Sequence, residues 1–246
     1  MNILLIGPPG AGKGTQAAVL QARLGMKHVA SGDLFRRHMR EESELGRKAK
    51  SFVDRGELVP DQVVIEMIAH RISEPDCEGG VIFDGFPRTR DQALALIEEL
   101  RGRGQTIDGA VVLTAPRDVL LRRLVGRQTC SRCQTAYNIF YTPSRLEGVC
   151  DLCGGELYTR SDDNWETARH RLGVYQKETL PLTELFRDMG LLHEVDALGE
   201  VDEVTRRIAD SLEGGTGPGR TPAEAQTTIG QSSGPAAGGS GDDARG

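Results

Sequence analysis

The chain has 246 residues, 38% hydrophobic and 27% charged, with a formal net charge of −6. The length suits one α/β domain with insertions, or two small domains, and the proportions are ordinary for a soluble protein. No apolar run approaches the roughly 18 residues of a membrane span, and the acidic balance opposes a general nucleic-acid binder, so neither partner is expected.

The apolar run Ile3-Leu4-Leu5-Ile6 predicts a buried strand. It leads into Gly7-Pro8-Pro9-Gly10-Ala11-Gly12-Lys13-Gly14-Thr15, and residues 16–24 then read as a helix closed by Gly25. Strand, glycine-rich turn and helix make the setting of a phosphate-binding loop. Glycines let backbone N–H groups converge on phosphate oxygens, and the helix N-terminus adds its positive dipole end. Lys13 is placed to reach the outer phosphates. Gly14 separates it from Thr15, whereas the general pattern has the hydroxyl residue next to the lysine. The chain enters its first strand without a charged leader, so a cytoplasmic protein is expected.

Residues 27–30 read as a short strand, and Ser31 or Asp33 as the cap of a helix over 34–41. A second helix over 44–54 stops at Gly56. A third starts at Asp61, with Val64, Ile65, Ile68 and Ile72 at helical spacing. His28, His38 and His70 read as surface residues without a role. The strand over 80–84 runs into Gly85-Phe86-Pro87-Arg88. Ligands of parallel sheets gather at strand carboxyl ends, which puts Asp84 and Arg88 at a site. Asp84 is either a cap for the next helix or a carboxylate holding metal-bound water beside phosphates. Gln92 lies four residues past Arg88, on the same face of a helix whose stripe is Ala93, Leu96, Ile97 and Leu100. A strand over 110–113 precedes a helix opened by Pro116, with Leu120, Leu121, Leu124 and Val125 turned inward. Arg123 and Arg127 are read as sharing a face of that helix, and two aligned guanidinium groups suit a polyphosphate.

Residues 128–163 have no helical period. Cys130-Ser131-Arg132-Cys133 and Cys150-Asp151-Leu152-Cys153 lie sixteen residues apart there. This spacing points to a closed four-cysteine zinc site of structural type, with an iron–sulfur or disulfide reading as the alternatives. Cys77 reads as a small buried residue. Helix resumes near Asn164, with Arg160 before it and Arg171 inside it. A helix over 182–189, a strand over 191–195 ended by Asp196, and an amphipathic helix over 201–212 follow. Residues 214–246 are rich in Gly, Pro, Ser, Thr and Ala and read as a disordered tail. No nucleophilic triad is visible, and a phosphate loop with several arginines suits phosphoryl transfer.

Four motifs together resemble adenylate kinases: the loop over 7–15, Ser31-Gly32-Asp33-Leu34-Phe35-Arg36, Asp84-Gly85-Phe86-Pro87-Arg88-Thr89 and Val125-Gly126-Arg127. The paired C-x2-C knuckles resemble the long-lid bacterial type with a zinc site, and the family also carries Gly-Lys-Gly-Thr. The resemblance implies a P-loop α/β three-layer fold with a five-stranded parallel sheet. Its core would span residues 1–30, 60–127 and 165–213, with an AMP-binding insertion over 31–59 and a zinc-stapled lid over 128–164. It implies ATP and AMP as partners, Mg2+ travelling with ATP, structural Zn2+ on Cys130, Cys133, Cys150 and Cys153, and a monomer. Gly10, Ala11, Gly12, Lys13, Gly14 and Thr15 would hold the ATP phosphates. Arg123 would pack on adenine, Arg127 would pair with phosphate, and Ala136, Tyr137 and Gly199 would touch the nucleotide. Ser31, Arg36, Glu57, Leu58, Val59, Gly85, Phe86, Pro87, Arg88 and Gln92 would form the AMP site. Arg160 and Arg171 would bridge the two nucleotides, and Lys13, Asp84, Arg88, Arg127, Arg160 and Arg171 would carry catalysis. Ser31 stands where Thr is common, and Gly199 where many relatives have Lys, which leaves only a main-chain contact there.

Overall fold

Strand β1 (Asn2–Ile6) is buried along its whole length in the computed structural model, which describes residues 1–214. Side chains alternate across a strand. Leu4 and Ile6 therefore enter one hydrophobic core, and Ile3 and Leu5 enter another. Strands β2 (Lys27–Ala30), β3 (Val81–Asp84), β4 (Gly109–Thr114) and β8 (Leu192–Asp196) join β1 in one parallel sheet, ordered β2-β3-β1-β4-β8. Near-continuous apolar strands are what a sheet covered on both faces demands.

Helices supply both covers. On the Ile3 face pack α1 (Lys13–Leu24), α6 (Arg117–Val125), α7 (Trp165–Val174) and α9 (Val201–Gly214), through Leu20, Leu120, Leu172 and Ile208. On the Leu4 face pack α4 (Asp61–Ile72), α5 (Arg90–Gly102) and α8 (Leu182–Asp188), through Ile68, Leu96 and Phe186. The expected three-layer α/β fold with five parallel strands is the fold found.

Two segments stand outside this alternation. Helices α2 (Ser31–Arg40) and α3 (Glu44–Arg55) lie between β2 and α4 and send Phe35 and Ala49 into the core. Between α6 and α7 the chain makes a small antiparallel sheet, β6-β5-β7, from β5 (Arg127–Cys130), β6 (Ala136–Asn138) and β7 (Leu157–Tyr158).

Local differences from the sequence expectations have local causes. Neither Ser31 nor Asp33 caps α2: the Ser31 hydroxyl donates to the Gly85 carbonyl at 2.6 Å, and Asp33 pairs with Arg36. Asp84 does not cap α5, because the Thr89 hydroxyl accepts from the Gln92 N–H at 3.2 Å. Arg123 and Arg127 do not share a helical face, since α6 ends at Val125 and Arg127 opens β5. After α7 a π-helical turn, Tyr175–Thr179, continues the helix where no turn was foreseen. Residues 215–246 of the expected tail lie outside the described residues.

Candidate active site

The loop between β1 and α1 is bent by glycines in left-handed conformations, with φ of 87° at Gly10 and 95° at Gly12. A Cβ on Gly10 would sit 2.6 Å from the Leu120 carbonyl oxygen, so α6 also requires a bare backbone there. Ala11 is buried under the loop, while Gly14 and Thr15 are exposed in the first turn of α1. Lys13 Nζ donates to the carbonyls of Gly7 at 2.8 Å and Pro8 at 3.0 Å. Burial pushes its pKa down to about 8, against the pull of Asp84.

Cations from distant parts of the chain cluster beside this loop. Arg88, in the loop after β3, donates through Nε to the Gly85 carbonyl at 2.7 Å, and burial lowers it to about 10. Arg160 donates through Nε to the Thr129 hydroxyl at 3.1 Å, and burial lowers it also to about 10. Arg36 presents a buried Nε without a hydrogen-bond partner. Arg127 and Arg171 are answered by acids. Asp163 accepts from Arg127 through both oxygens, and Asp162 accepts from Arg171 Nη1 at 2.7 Å. Burial alone would lower Arg127, but its bonds to Asp163 outweigh that and raise it. Burial would raise Asp84, yet His28 and Lys13 together hold its carboxyl below the usual range.

Beside these cations lies a cavity. Its apolar wall is Phe35, Val53, Val59 and Val64, and Ser31, Glu57, Leu58, Gly85 and Gln92 also border it. Arg36, Arg88 and Arg171 close its charged end. Most residues expected to hold AMP thus meet at one cavity. Phe86 and Pro87 do not line it: both are buried, Phe86 in the core beside Phe83 with ring centroids 6.5 Å apart.

At the far side of the loop, Arg123 donates to the Ala197 carbonyl at 3.0 Å and lies 5.7 Å from the Tyr141 ring centroid. Gly199 follows in the same connection with φ of 109°. Ala136 is exposed on β6. The neighbouring Tyr137 side chain is buried, its hydroxyl accepting from Asp151 N–H at 2.8 Å and lying 3.4 Å from Cys150 Sγ. The sulfurs of Cys130, Cys133, Cys150 and Cys153 all lie within 4.8 Å of one another, with Cys130–Cys153 and Cys133–Cys150 each at 3.5 Å. None of the four is joined in a disulfide. Four thiolates around one ion at about 2.3 Å need sulfurs clustered on this scale, so the group could hold a metal ion.

Three contributors were not foreseen. Asp162 and Asp163 are buried at 6% and 3% exposure, the depth at which a carboxylate needs a partner. Their signal in the sequence was a doublet of acids just after Arg160. His28, read as a surface residue, puts Nε2 3.4 Å from Asp84 Oδ2. No residue spacing announces that pairing, because it depends on β2 lying beside β3 with Ala30 opposite Asp84.

Comparison with known proteins follows the same lines. A profile of the family described as adenylate kinase matches residues 5–191. The adenylate kinase of Carboxydothermus hydrogenoformans is 46% identical over 213 residues, covering 87% of this chain and 100% of that protein. Those of Streptomyces avermitilis and Streptomyces coelicolor are each 47% identical over 213 residues, covering 86% of this chain and 97% and 98% of their own lengths. No helix among the described residues is long and apolar enough to cross a membrane. With the phosphate loop, the arginine cluster and these matches in agreement, the chain belongs to the adenylate kinase family.

Proposed function

We propose that the chain transfers a phosphoryl group reversibly from MgATP to AMP, giving two ADP. The observation that carries the reading is one continuous site. A phosphate loop with Lys13 at one side and an apolar-walled cavity at the other share Arg88 and Arg171 between them. In this reading the loop from Gly10 to Thr15 holds the ATP phosphates, and Arg123 and Gly199 border its adenine. AMP lies in the cavity, with its base against Val59 and Val64 and its phosphate toward Arg36 and Arg88.

Phosphoryl transfer leaves the protein little covalent work, so catalysis is placement and charge neutralisation. The attacking nucleophile is a phosphate oxygen of AMP. Lys13, Arg127, Arg160 and Arg171 spread positive charge over the equatorial oxygens of the moving group. Asp84 sits beside the loop, ionised and exposed enough at 16% to receive the water shell of a cation carried in with ATP. Through that water shell Asp84 would hold the Mg2+ that travels with ATP, and the ion would supply further charge neutralisation. The insertion over 31–59 and the lid over 128–164 close on the two nucleotides and exclude water, which would otherwise divert the phosphoryl group. A contact across the insertions, Ser161 Oγ donating to Asp54 at 3.2 Å, supports their meeting over the site. Cys130, Cys133, Cys150 and Cys153 would hold zinc, which would staple the lid sheet and do no chemistry, since four thiolates would leave it no open position. Cysteines not joined in disulfides suit a reducing compartment, in keeping with a cytoplasmic enzyme.

The test is a coupled ADP assay with ATP and each nucleoside monophosphate in turn. AMP is expected to be the preferred acceptor. Preference for UMP, CMP or GMP overturns the substrate assignment, and rapid ATP hydrolysis without any acceptor overturns the reaction. A mimic joining two adenosines through five phosphates is expected to bind tightly.

A further inference from the structure

The side chain of Gln92 is 1% exposed, yet it borders the cavity. A primary amide has two N–H donors and two oxygen lone pairs, and nothing in its shape fixes which end is which. Here the surroundings fix it. Asp61 Oδ1 accepts from Gln92 Nε2 at 2.7 Å, and the Arg88 backbone N–H donates to Gln92 Oε1 at 2.8 Å. A carboxylate only accepts and a backbone N–H only donates. Turning the amide over would set oxygen against oxygen and N–H against N–H. Asp61 is itself held, since its Oδ2 accepts from the Thr89 hydroxyl at 2.7 Å. That hydroxyl has one proton, which it gives to Asp61, and it accepts in turn from the Gln92 backbone N–H.

One N–H and one lone pair of Gln92 are left, in a fixed order. Adenine offers a ring-nitrogen acceptor beside an exocyclic N–H donor, the pairing a Gln amide reads bidentately. A 6-oxopurine offers the reverse, a ring N–H beside a carbonyl oxygen. With phosphate and ribose fixed, it needs the amide turned over. We propose that Asp61 is a positioning residue for base choice: together with the Arg88 backbone N–H it locks the Gln92 amide, so that the monophosphate site accepts 6-aminopurine and rejects 6-oxopurine. This rests on the reading of the cavity as the AMP site.

The test compares kcat/KM for AMP and for the hypoxanthine monophosphate IMP, at saturating ATP, in wild type, Asp61→Asn and Asp61→Ser. The Asn amide can donate as well as accept, and the Ser hydroxyl removes the acceptor-only group by another route. The AMP-over-IMP preference is expected to fall at least tenfold in either variant, through a higher KM for AMP and a gain with IMP, while KM for ATP stays within twofold. Equal losses for both monophosphates, as a merely structural role gives, overturn the proposal. So does a wild-type chain that binds AMP and IMP equally, a measurement that needs no variant. A wild type that phosphorylates no monophosphate overturns the functional reading itself and shows before any variant is made.

Discussion

Lys13→Met should make the protein more stable at neutral pH while nearly abolishing its activity. Burial holds the Lys13 ammonium at about 8, against 10.5 for the free side chain. That gap corresponds to about 3 kcal/mol of destabilisation at pH 7, with the attraction to Asp84 already inside the figure. The substitution removes this cost. It also removes the hydrogen bonds to the Gly7 and Pro8 carbonyls at 2.8 and 3.0 Å, each worth about 1 kcal/mol. The net is about 1 kcal/mol in favour of the variant, or roughly 3 °C in Tm. Turnover should fall about 10³-fold. The sign with pH follows from linkage. Between about 8 and 10.5 the unfolded chain binds more protons at Lys13 than the folded one, so wild-type stability gains on the variant as pH rises through that window. Above it Lys13 is neutral in both states, only the lost hydrogen bonds remain, and the variant becomes the less stable protein. Paired urea titrations at pH 7 and above pH 10.5 read both signs. A variant clearly less stable than wild type at pH 7, or a difference that does not move with pH, refutes the argument.

Other substitutions probe the parts separately. Asp163→Asn leaves Arg127 and Arg171 facing a neutral amide in place of a fully buried carboxylate, and denaturant unfolding should show a loss of about 3 kcal/mol. Gly56→Ala puts a Cβ at φ 71° and 2.6 Å from Arg171 Cγ. It should destabilise by about 1–2 kcal/mol and raise KM for AMP several-fold, as steady-state kinetics would show. Metal analysis should find one zinc per chain, and Cys150→Ser should lose it and lower Tm by roughly 10 °C. Its turnover at low temperature should stay near normal, because the thiolates touch no substrate.

What could be read from residues alone was what depends on neighbours in the chain. The phosphate loop, the C-x2-C pairs and the alternation that buries β1 are all local patterns, and each has a single physical meaning in its context. Gly25 and Gly56 end their helices as expected, and each does so in the left-handed conformation. Ser31 misled for an equally physical reason. A serine before a helix usually caps it, but here β2 and β3 lie side by side and the Gly85 carbonyl claims the hydroxyl first. The same packing hides the His28–Asp84 pair, and it takes Asp61 and Gln92, 31 positions apart, to make one hydrogen bond. Arg127 was placed on a helix because a four-residue spacing fits one. Gly126 ends the helix first, and the next residue starts a strand pairing with Asn138.

The cluster of cations raises a question of balance that those local patterns do not answer. Six positive side chains, Lys13, Arg36, Arg88, Arg127, Arg160 and Arg171, face one another closely enough to lower several of each other's pKa values. Left alone, such a group repels itself and resists burial. Asp33, Asp84, Asp162 and Asp163 supply part of the missing charge from within the chain. Two of these acids are held by arginines that, in the proposed reaction, neutralise phosphate. A phosphate arriving at Arg127 or Arg171 therefore meets an occupied guanidinium and has to share it with Asp163 or Asp162. Binding exchanges one anion for another, and the net gain is smaller than a bare arginine would give. In the proposed reaction the acids balance the charge of the empty site, and the exchange limits how tightly the nucleotides are held. An enzyme whose reaction runs in both directions needs both properties.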